Sequence, residues 1–262
     1  MLRRPYKDGW FMITQPTHAW SAGQMARVWG NDALIPPHPT EAVFIATSLH
    51  DVGWTEWDAL PRLAADGYPV NYDSTMLTQT HDFWKRAVAH IQQFDPYSGL
   101  LVSMHAAADY QNRIEREIDP PNKHSEILQT IAGLEELQEN LKDSLQRHPL
   151  YADSLDDNRI QANYEILRSC DLLCLVLCED DLAAGEIPNV PGASLDDRVT
   201  IACTPQDAFT LALKPYPFHV KELRIRLPGR YITQKTYTNT RLFQGEFENA
   251  AWEVLEFTLV PA

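Results

Sequence analysis

The chain has 262 residues, enough for one large domain or for one domain plus a small second one. Apolar residues make up 44% of it, so a sizeable core can form and wholesale disorder is not expected. Its 36 acidic residues outnumber its 22 basic residues and give a net charge of −14. Such a surface repels nucleic acid phosphates and anionic membranes, so neither is an expected partner.

Targeting and membrane segments are not expected either. The longest apolar runs fall well short of the roughly 18 residues that a membrane span needs. The basic start of the chain, residues 1–7, is not followed by the apolar segment of a signal peptide. These features favour a cytoplasmic protein. Four cysteines are too few for a disulfide scaffold.

Hydrophobic periodicity predicts helices along most of the chain up to about residue 190. A short apolar strand over residues 10–14 leads to the first helix, which Thr17 is expected to cap and Gly30 to end. Residues 55–80 show no period and are predicted to form a long surface loop. The other predicted helices cover residues 40–52, 82–93, 97–117, 125–147 and 158–180.

The character of the sequence changes after Pro188. Short β-rich runs separated by Pro and Gly predict strands. They cover residues 199–203, 208–213, 219–227 and 252–260. We therefore expect a mainly α protein with two parts: a helical domain at residues 1–190 and a small β-rich subdomain at residues 191–262, packed on the first.

The adjacent pair His50-Asp51 is the first candidate for chemistry. His50 shares a predicted helix face with Ala42, Ala46 and Leu49, so its imidazole should point into the core. A buried imidazole beside a buried carboxylate is costly unless the two are paired or bind a metal. Histidine nitrogen and aspartate oxygen together suit divalent Fe, Mn, Co or Zn. The pair therefore indicates a metal site at the end of this helix.

Four other predicted helices each carry one side chain of a metal-ligating type on an apolar stripe. These residues are His18, His81, His105 and Asp171. Any one of them alone is explained more simply as a hydrogen-bonded core residue. Because five helices repeat the pattern, we expect the side chains to converge with His50 and Asp51 on a metal centre.

Three cysteines recur every four residues in the last predicted helix: Cys170, Cys174 and Cys178. Burial is common for free cysteines, so the pattern favours a row of small core residues. Three thiols on one helix face could also bind a metal, and the spacing leaves that alternative open.

The order His18, then His50-Asp51, then Asp171 resembles the HD superfamily of metal-dependent phosphohydrolases. In that superfamily a His on the first helix, an HD pair on the second and a late Asp bind a metal inside a helical bundle. The stretches 49–53 and 169–173 stand where the family has its HD pair and its late Asp. Residues 13–15 and the β-rich tail are also similar to a bacterial HD-related family with no assigned activity.

The resemblance covers roughly residues 15–180 and implies an HD-like helical bundle as the fold of the first domain. It implies that His18, His50, Asp51 and Asp171 hold one divalent ion. The extra histidines, His81 and His105, resemble those of the dinuclear HD branch and would hold a second ion, with Asp51 bridging. Asp51 would be the catalytic residue that orients the attacking water.

The implied activity is that of a phosphomonoesterase or phosphodiesterase acting on a small phosphorylated molecule. The same ligands would also suit a mixed-valence di-iron oxygenase of the superfamily. A third alternative is a metal-binding module without catalytic activity. The substrate, the number and identity of the ions, and the oligomeric state stay open at this point.

Overall fold

The computed structural model describes residues 1–179 and 182–262. Its helices are α1 (Gln15–Ala26), α2 (Thr40–Leu49), α3 (Thr55–Asp58), α4 (Leu77–Phe94), α5 (Pro96–Glu115), α6 (His124–Leu145), α7 (Asp157–Cys178) and α8 (Thr240–Asn249). Its strands are β1 (Leu2–Tyr6), β2 (Gly9–Ile13), β3 (Gly185–Pro191), β4 (Arg198–Pro205), β5 (Thr210–Lys214), β6 (Leu223–Ile232) and β7 (Trp252–Pro261). Within the described ranges, no helix is long and apolar enough to cross a bilayer.

The described strands form one seven-stranded sheet in the order β1-β2-β6-β7-β5-β4-β3. Strands β5 and β7 are parallel, and the other neighbouring strands are antiparallel. The hairpin β1–β2 joins the C-terminal strands because β2 pairs with β6, with Phe11 opposite Tyr231. Strands from both ends of the chain therefore lie in one sheet.

This sheet corrects the expected fold class, a mainly α, HD-like helical bundle with a small C-terminal β subdomain. The protein combines its helices with a large mixed sheet. The expectation failed because local periodicity identifies a strand but carries no signal for a pairing as distant as β2 with β6. The sheet takes strands from both sides of the expected boundary between residues 190 and 191. The division of the chain into domains at residues 1–190 and 191–262 stays a prediction.

The expected surface loop at residues 55–80 contains more regular structure than the sequence suggested. It holds α3 and the short 3-10 helix Tyr72–Ser74, and α4 begins inside it at Leu77. Helix α8 had no counterpart among the predicted elements. The last residue of the helix predicted over residues 158–180 lies outside the described residues.

Side-chain caps set where α1 and α7 begin. These two helices carry His18 and Asp171, the candidate ligands that are farthest apart in the sequence. Thr14, rather than Thr17, caps α1, and its Oγ1 accepts from the Thr17 amide at 3.2 Å. Asp156 caps α7 and accepts from the amides of Asn158 and Arg159 at 3.1 and 3.2 Å. These caps define the starting points from which His18 and Asp171 reach the interior.

The candidate ligands lie where four helices meet. Helix α1 packs on α2, α7 and β6, while α5 packs on α2, α4 and α7. Gly23 permits the close approach of α1 to α2, because a Cβ at that position would lie 2.0 Å from Ser48 Oγ. The absence of a Cβ at residue 23 therefore lets α1 and α2 come close enough for His18 and His50 to reach each other.

Gly53 has the same role on the other side of the His50-Asp51 pair. A Cβ at this position would lie 2.0 Å from the carbonyl oxygen of Phe83 on α4. The obstacle is backbone, which cannot rotate aside as a flexible side chain can. The turn that follows Asp51 therefore lies directly against α4 only because residue 53 is glycine.

We expect Gly53→Ala to lower the free energy of unfolding by about 1–3 kcal/mol, because the added methyl group overpacks against α4. Gly133→Ala is the matched control, since nothing lies within 4 Å of a Cβ at that position in α6. This change should raise the free energy of unfolding by about 0.5–1 kcal/mol. Urea unfolding curves measure both values. A Gly53→Ala variant as stable as wild type would contradict the close-approach argument.

Candidate metal centre

Five of the six predicted site residues come together in the interior. His18 lies on α1, His50 directly follows α2, and Asp51 begins the 3-10 turn Val52–Trp54. His105 lies on α5 and Asp171 on α7. The side chains of His18 and His50 are each only 1% exposed, so the cluster lies within the core.

Asp171 is at the centre of this cluster. Its Oδ1 lies 2.7 Å from His18 Nε2 and 3.4 Å from His50 Nε2. Its Oδ2 lies 3.7 Å from His105 Nε2. On the other side, His50 Nε2 is 3.3 Å from Asp51 Oδ2. One carboxylate from α7 therefore faces imidazoles from α1, α2 and α5.

The spacing of these atoms fits a divalent ion. The donor atoms of His18, His50 and Asp51 lie within 4.8 Å of one another, and so do those of His50, His105 and Asp171. Metal–ligand bonds of about 2.0–2.6 Å place neighbouring donors roughly 3–4 Å apart. The distances of 3.3, 3.4 and 3.7 Å lie in this range, and the 2.7 Å hydrogen bond between His18 and Asp171 is shorter. Imidazole and carboxylate together suit Fe, Mn, Co or Zn.

The hydrogen bonding of His50 is also what a metal ligand requires. Its Nδ1 donates to the carbonyl oxygen of Thr47 at 2.8 Å. When the ring is neutral, that bond leaves the lone pair on Nε2, the atom that faces Asp51 and Asp171. Backbone carbonyls commonly orient metal-binding histidines in this way.

Strong electrostatic coupling holds the metal-free cluster together. Burial lowers the pKa of His18, but its hydrogen bonds to Asp171 and Cys178 raise it to about 10. Burial likewise disfavours charge on His50, yet Asp51 and Asp171 raise its pKa well above the usual value. Burial opposes ionisation of Asp171, but His18 and His50 hold its pKa well below the usual range. At neutral pH the metal-free site is therefore a buried cluster of cations and anions.

His105 behaves differently from the other two imidazoles. Burial lowers its pKa to about 4, although Asp171 acts in the opposite direction. Its Nδ1 is buried and has no hydrogen-bond partner among the described residues. His105 is therefore a neutral imidazole at the edge of the cluster.

The structure does not bring His81 to this centre. A 2.8 Å hydrogen bond joins His81 Nδ1 to the Tyr110 hydroxyl, and His81 Nε2 lies 3.3 Å from Glu126 Oε1. The side chain is 25% exposed. In the described part of the chain, His81 belongs to no cluster of metal-type donor atoms. The expected pair of His81 and His105 around a second ion is therefore not assembled.

Asp109 is a candidate site residue that sequence reasoning missed. Its Oδ2 accepts from Trp84 Nε1 at 2.9 Å, and the edge of Trp84 contacts His105 with ring centroids 5.5 Å apart. Burial raises the pKa of Asp109, the Trp84 hydrogen bond lowers it, and the charges of Asp51 and Asp171 raise it further. The available signal was its position one helical turn after His105.

Binding of a divalent ion should release protons at neutral pH, because His18 and His50 are protonated in the metal-free protein. Affinity for Mn²⁺ should therefore rise with pH up to about 10, the pKa of His18, because deprotonation of the ring becomes less costly. Calorimetry in buffers with different ionisation enthalpies counts the released protons. His105→Ala should release as many as wild type, since the pKa of that ring is about 4. Binding that does not depend on pH would contradict the coupling described above.

Comparison with known proteins identifies a family but no activity. Neither the curated proteins nor the solved structures gave a match. The family described as "Protein of unknown function (DUF3891)" matches residues 1–234, a range that includes every residue of the candidate centre. The chain therefore belongs to the DUF3891 family.

Proposed function

We propose that the protein is a metal-dependent phosphohydrolase with a centre for one divalent ion and a small phosphorylated molecule as substrate. The observation that carries the proposal is the convergence of His18, His50, Asp51 and Asp171 in one buried cluster. Their order along the chain resembles that of the HD superfamily. The resemblance rests on these residues and not on the overall fold.

The ligands of the ion would be the Nε2 atoms of His18 and His50 and carboxylate oxygens of Asp51 and Asp171. When bound, the ion would lower the pKa of a water molecule and polarise a phosphoryl oxygen. Without a cation, the carboxylates of Asp51 and Asp171 would repel a phosphate group. Substrate binding should therefore depend on the metal as strongly as catalysis does.

Asp51 is best placed to orient the attacking water. Its side chain is 7% exposed, and Oδ2 lies on the side of His50 Nε2. A carboxylate there can accept a hydrogen bond from a water molecule and hold it in one direction. His105 and Asp171, with side chains 14% and 13% exposed, are the most exposed members of the cluster and mark the side from which a substrate would approach.

Two further groups at that side can handle protons. His105 is neutral, so its imidazole can receive a proton from the attacking water as the new P–O bond forms. Asp109 has a raised pKa, so its carboxyl group is suited to hold the proton that a leaving oxygen needs. Trp84 connects the two groups by contacting the His105 ring and donating to Asp109.

The position of His81 favours a hydrolase with one ion over a di-iron oxygenase. A second ion would need His81 beside His105, whereas Tyr110 and Glu126 engage both nitrogens of the His81 ring. His81→Ala should therefore leave the metal content of the purified protein unchanged, while His18→Ala should lower it. Mass spectrometry of bound metals decides the point. A fall from two ions to one in His81→Ala would instead support a dinuclear centre, which a hydrolase or a di-iron oxygenase of the superfamily could use.

Asp51→Asn should abolish the metal-dependent rise in melting temperature and reduce phosphatase activity by about 100-fold or more. The change keeps the shape of the side chain but removes the charge that faces His50, so the rise on adding metal is measured for each protein against its own melting temperature without metal. Activity is measured on p-nitrophenyl phosphate and on its diester with Mn²⁺ or Fe²⁺. His90→Gln on α4, outside the candidate cluster, is the control and should behave as wild type.

Three results would contradict the proposal. A folded wild-type protein that binds no divalent ion would favour the non-catalytic alternative. Oxygen-dependent turnover after anaerobic iron loading would favour the oxygenase. Full activity in Asp51→Asn would remove the residue on which the proposed mechanism depends.

A further inference from the structure

A second group of donor atoms lies on the opposite side of the His18 ring. Cys178 Sγ is 3.6 Å from His18 Nδ1, and Cys174 Sγ is 3.9 Å from Cys178 Sγ. All three donor atoms lie within 4.8 Å of one another, and the three residues are buried. We call His18, Cys174 and Cys178 the thiol cluster; it shares His18 with the proposed catalytic centre, but its two thiols have no role in the proposed hydrolysis.

We propose that the thiol cluster binds one thiophilic monovalent ion, Cu(I), through His18 Nδ1, Cys174 Sγ and Cys178 Sγ. Bonds of about 2.3 Å to sulfur and about 2.0 Å to nitrogen place such donors roughly 3.5–4 Å apart. The 3.6 and 3.9 Å distances lie in this range. An ion at the centre of the triangle therefore requires only small movements of the side chains.

The donor types select a soft ion. Two thiolates and one imidazole favour Cu(I), whereas carboxylate and water ligands favour hard ions. Structural zinc sites take four ligands, and within the described residues the thiol cluster offers three. The coordination number therefore favours Cu(I) over Zn²⁺.

The local charge also fits a monovalent ion. Two thiolates around Cu(I) leave one negative charge in a region closed to water. The buried guanidinium of Arg4 lies beside this end of α7, because its Nη1 donates to the carbonyls of Leu177 and Glu179 at 3.1 and 2.5 Å. Its positive charge offsets the remaining negative charge.

An ion can reach the thiol cluster through the end of α7. Cys178 is the last residue of that helix. Terminal turns of helices open at lower free-energy cost than helix interiors, so we expect the ion to enter when this turn opens and the Arg4 hydrogen bonds break. Once the turn closes, burial protects Cu(I) from oxidants and from competing ligands in water.

His18 already has the hydrogen bond that this site requires. In the tautomer with the proton on Nε2, that nitrogen donates to Asp171 Oδ1 at 2.7 Å and Nδ1 offers its lone pair to Cu(I), so a neutral His18 ring binds either Cu(I) or the divalent ion. The inference uses only the thiol side of the ring. It therefore does not depend on the proposed hydrolase activity.

The test is an anaerobic titration with Cu(I) against bicinchoninate, a coloured chelator that competes for the ion. Wild type should remove one equivalent from the chelator. Cys174→Ser/Cys178→Ser should lower the affinity by about 100-fold or more. Cys170→Ser is the matched control, since Cys170 is equally buried on the same helix but lies outside the thiol cluster, and it should bind as wild type.

X-ray absorption of the Cu(I)-loaded wild type should show two sulfur ligands and one nitrogen ligand, a reading that does not depend on whether any variant folds. His50→Ala should lose the divalent ion yet keep Cu(I), which separates this site from the proposed catalytic centre. The inference is overturned if wild type cannot compete with the chelator, or if the bound copper has no sulfur ligands. It is also overturned if Cys170→Ser loses copper as fully as the double variant.

Discussion

The buried carboxylate of Asp171 is the constraint on which the rest of the site depends. A charge in the core costs several kcal/mol unless partners replace its lost hydration. Asp171 gains those partners from α1 and α2, through His18 at 2.7 Å and His50 at 3.4 Å. Three helices must therefore keep their relative positions for the carboxylate to stay ionised. The same arrangement leaves imidazole and carboxylate donors facing a common point.

The sheet supports this arrangement although it contributes none of the ligands. Helix α1 lies on β6, and α7 lies on β3. Strand β2 ends at Ile13 and α1 begins at Gln15, so the pairing of β2 with β6 determines where His18 enters the core. The geometry of the site therefore depends on the pairing of β2 with β6, two strands from opposite ends of the chain.

The sequence could predict features that depend on neighbouring residues, and it could not predict contacts between residues far apart in the chain. A His or Asp on an apolar stripe indicates that a polar side chain points into the core. In the structure His18, His50, His105 and Asp171 do point into the same part of the core. The stripe does not show which turn of a helix lies next to the candidate metal centre. On α4 the position against His105 belongs to Trp84, one turn beyond His81, so the His81 ring meets Tyr110 instead. The sheet was missed because its decisive contact joins residues at opposite ends of the chain.

Helix α7 holds both nitrogens of the His18 ring. Asp171 takes Nε2 on one side, and Cys178, two turns later on the same helix, approaches Nδ1 at 3.6 Å on the other. A rigid imidazole held at both nitrogens cannot turn, so its direction is set before any ion arrives. It also separates hard oxygen donors from soft sulfur donors by the width of one ring, which lets neighbouring sites prefer different metals. A change at Asp171 or at Cys178 should therefore be felt at the other residue through His18 rather than through the helix backbone.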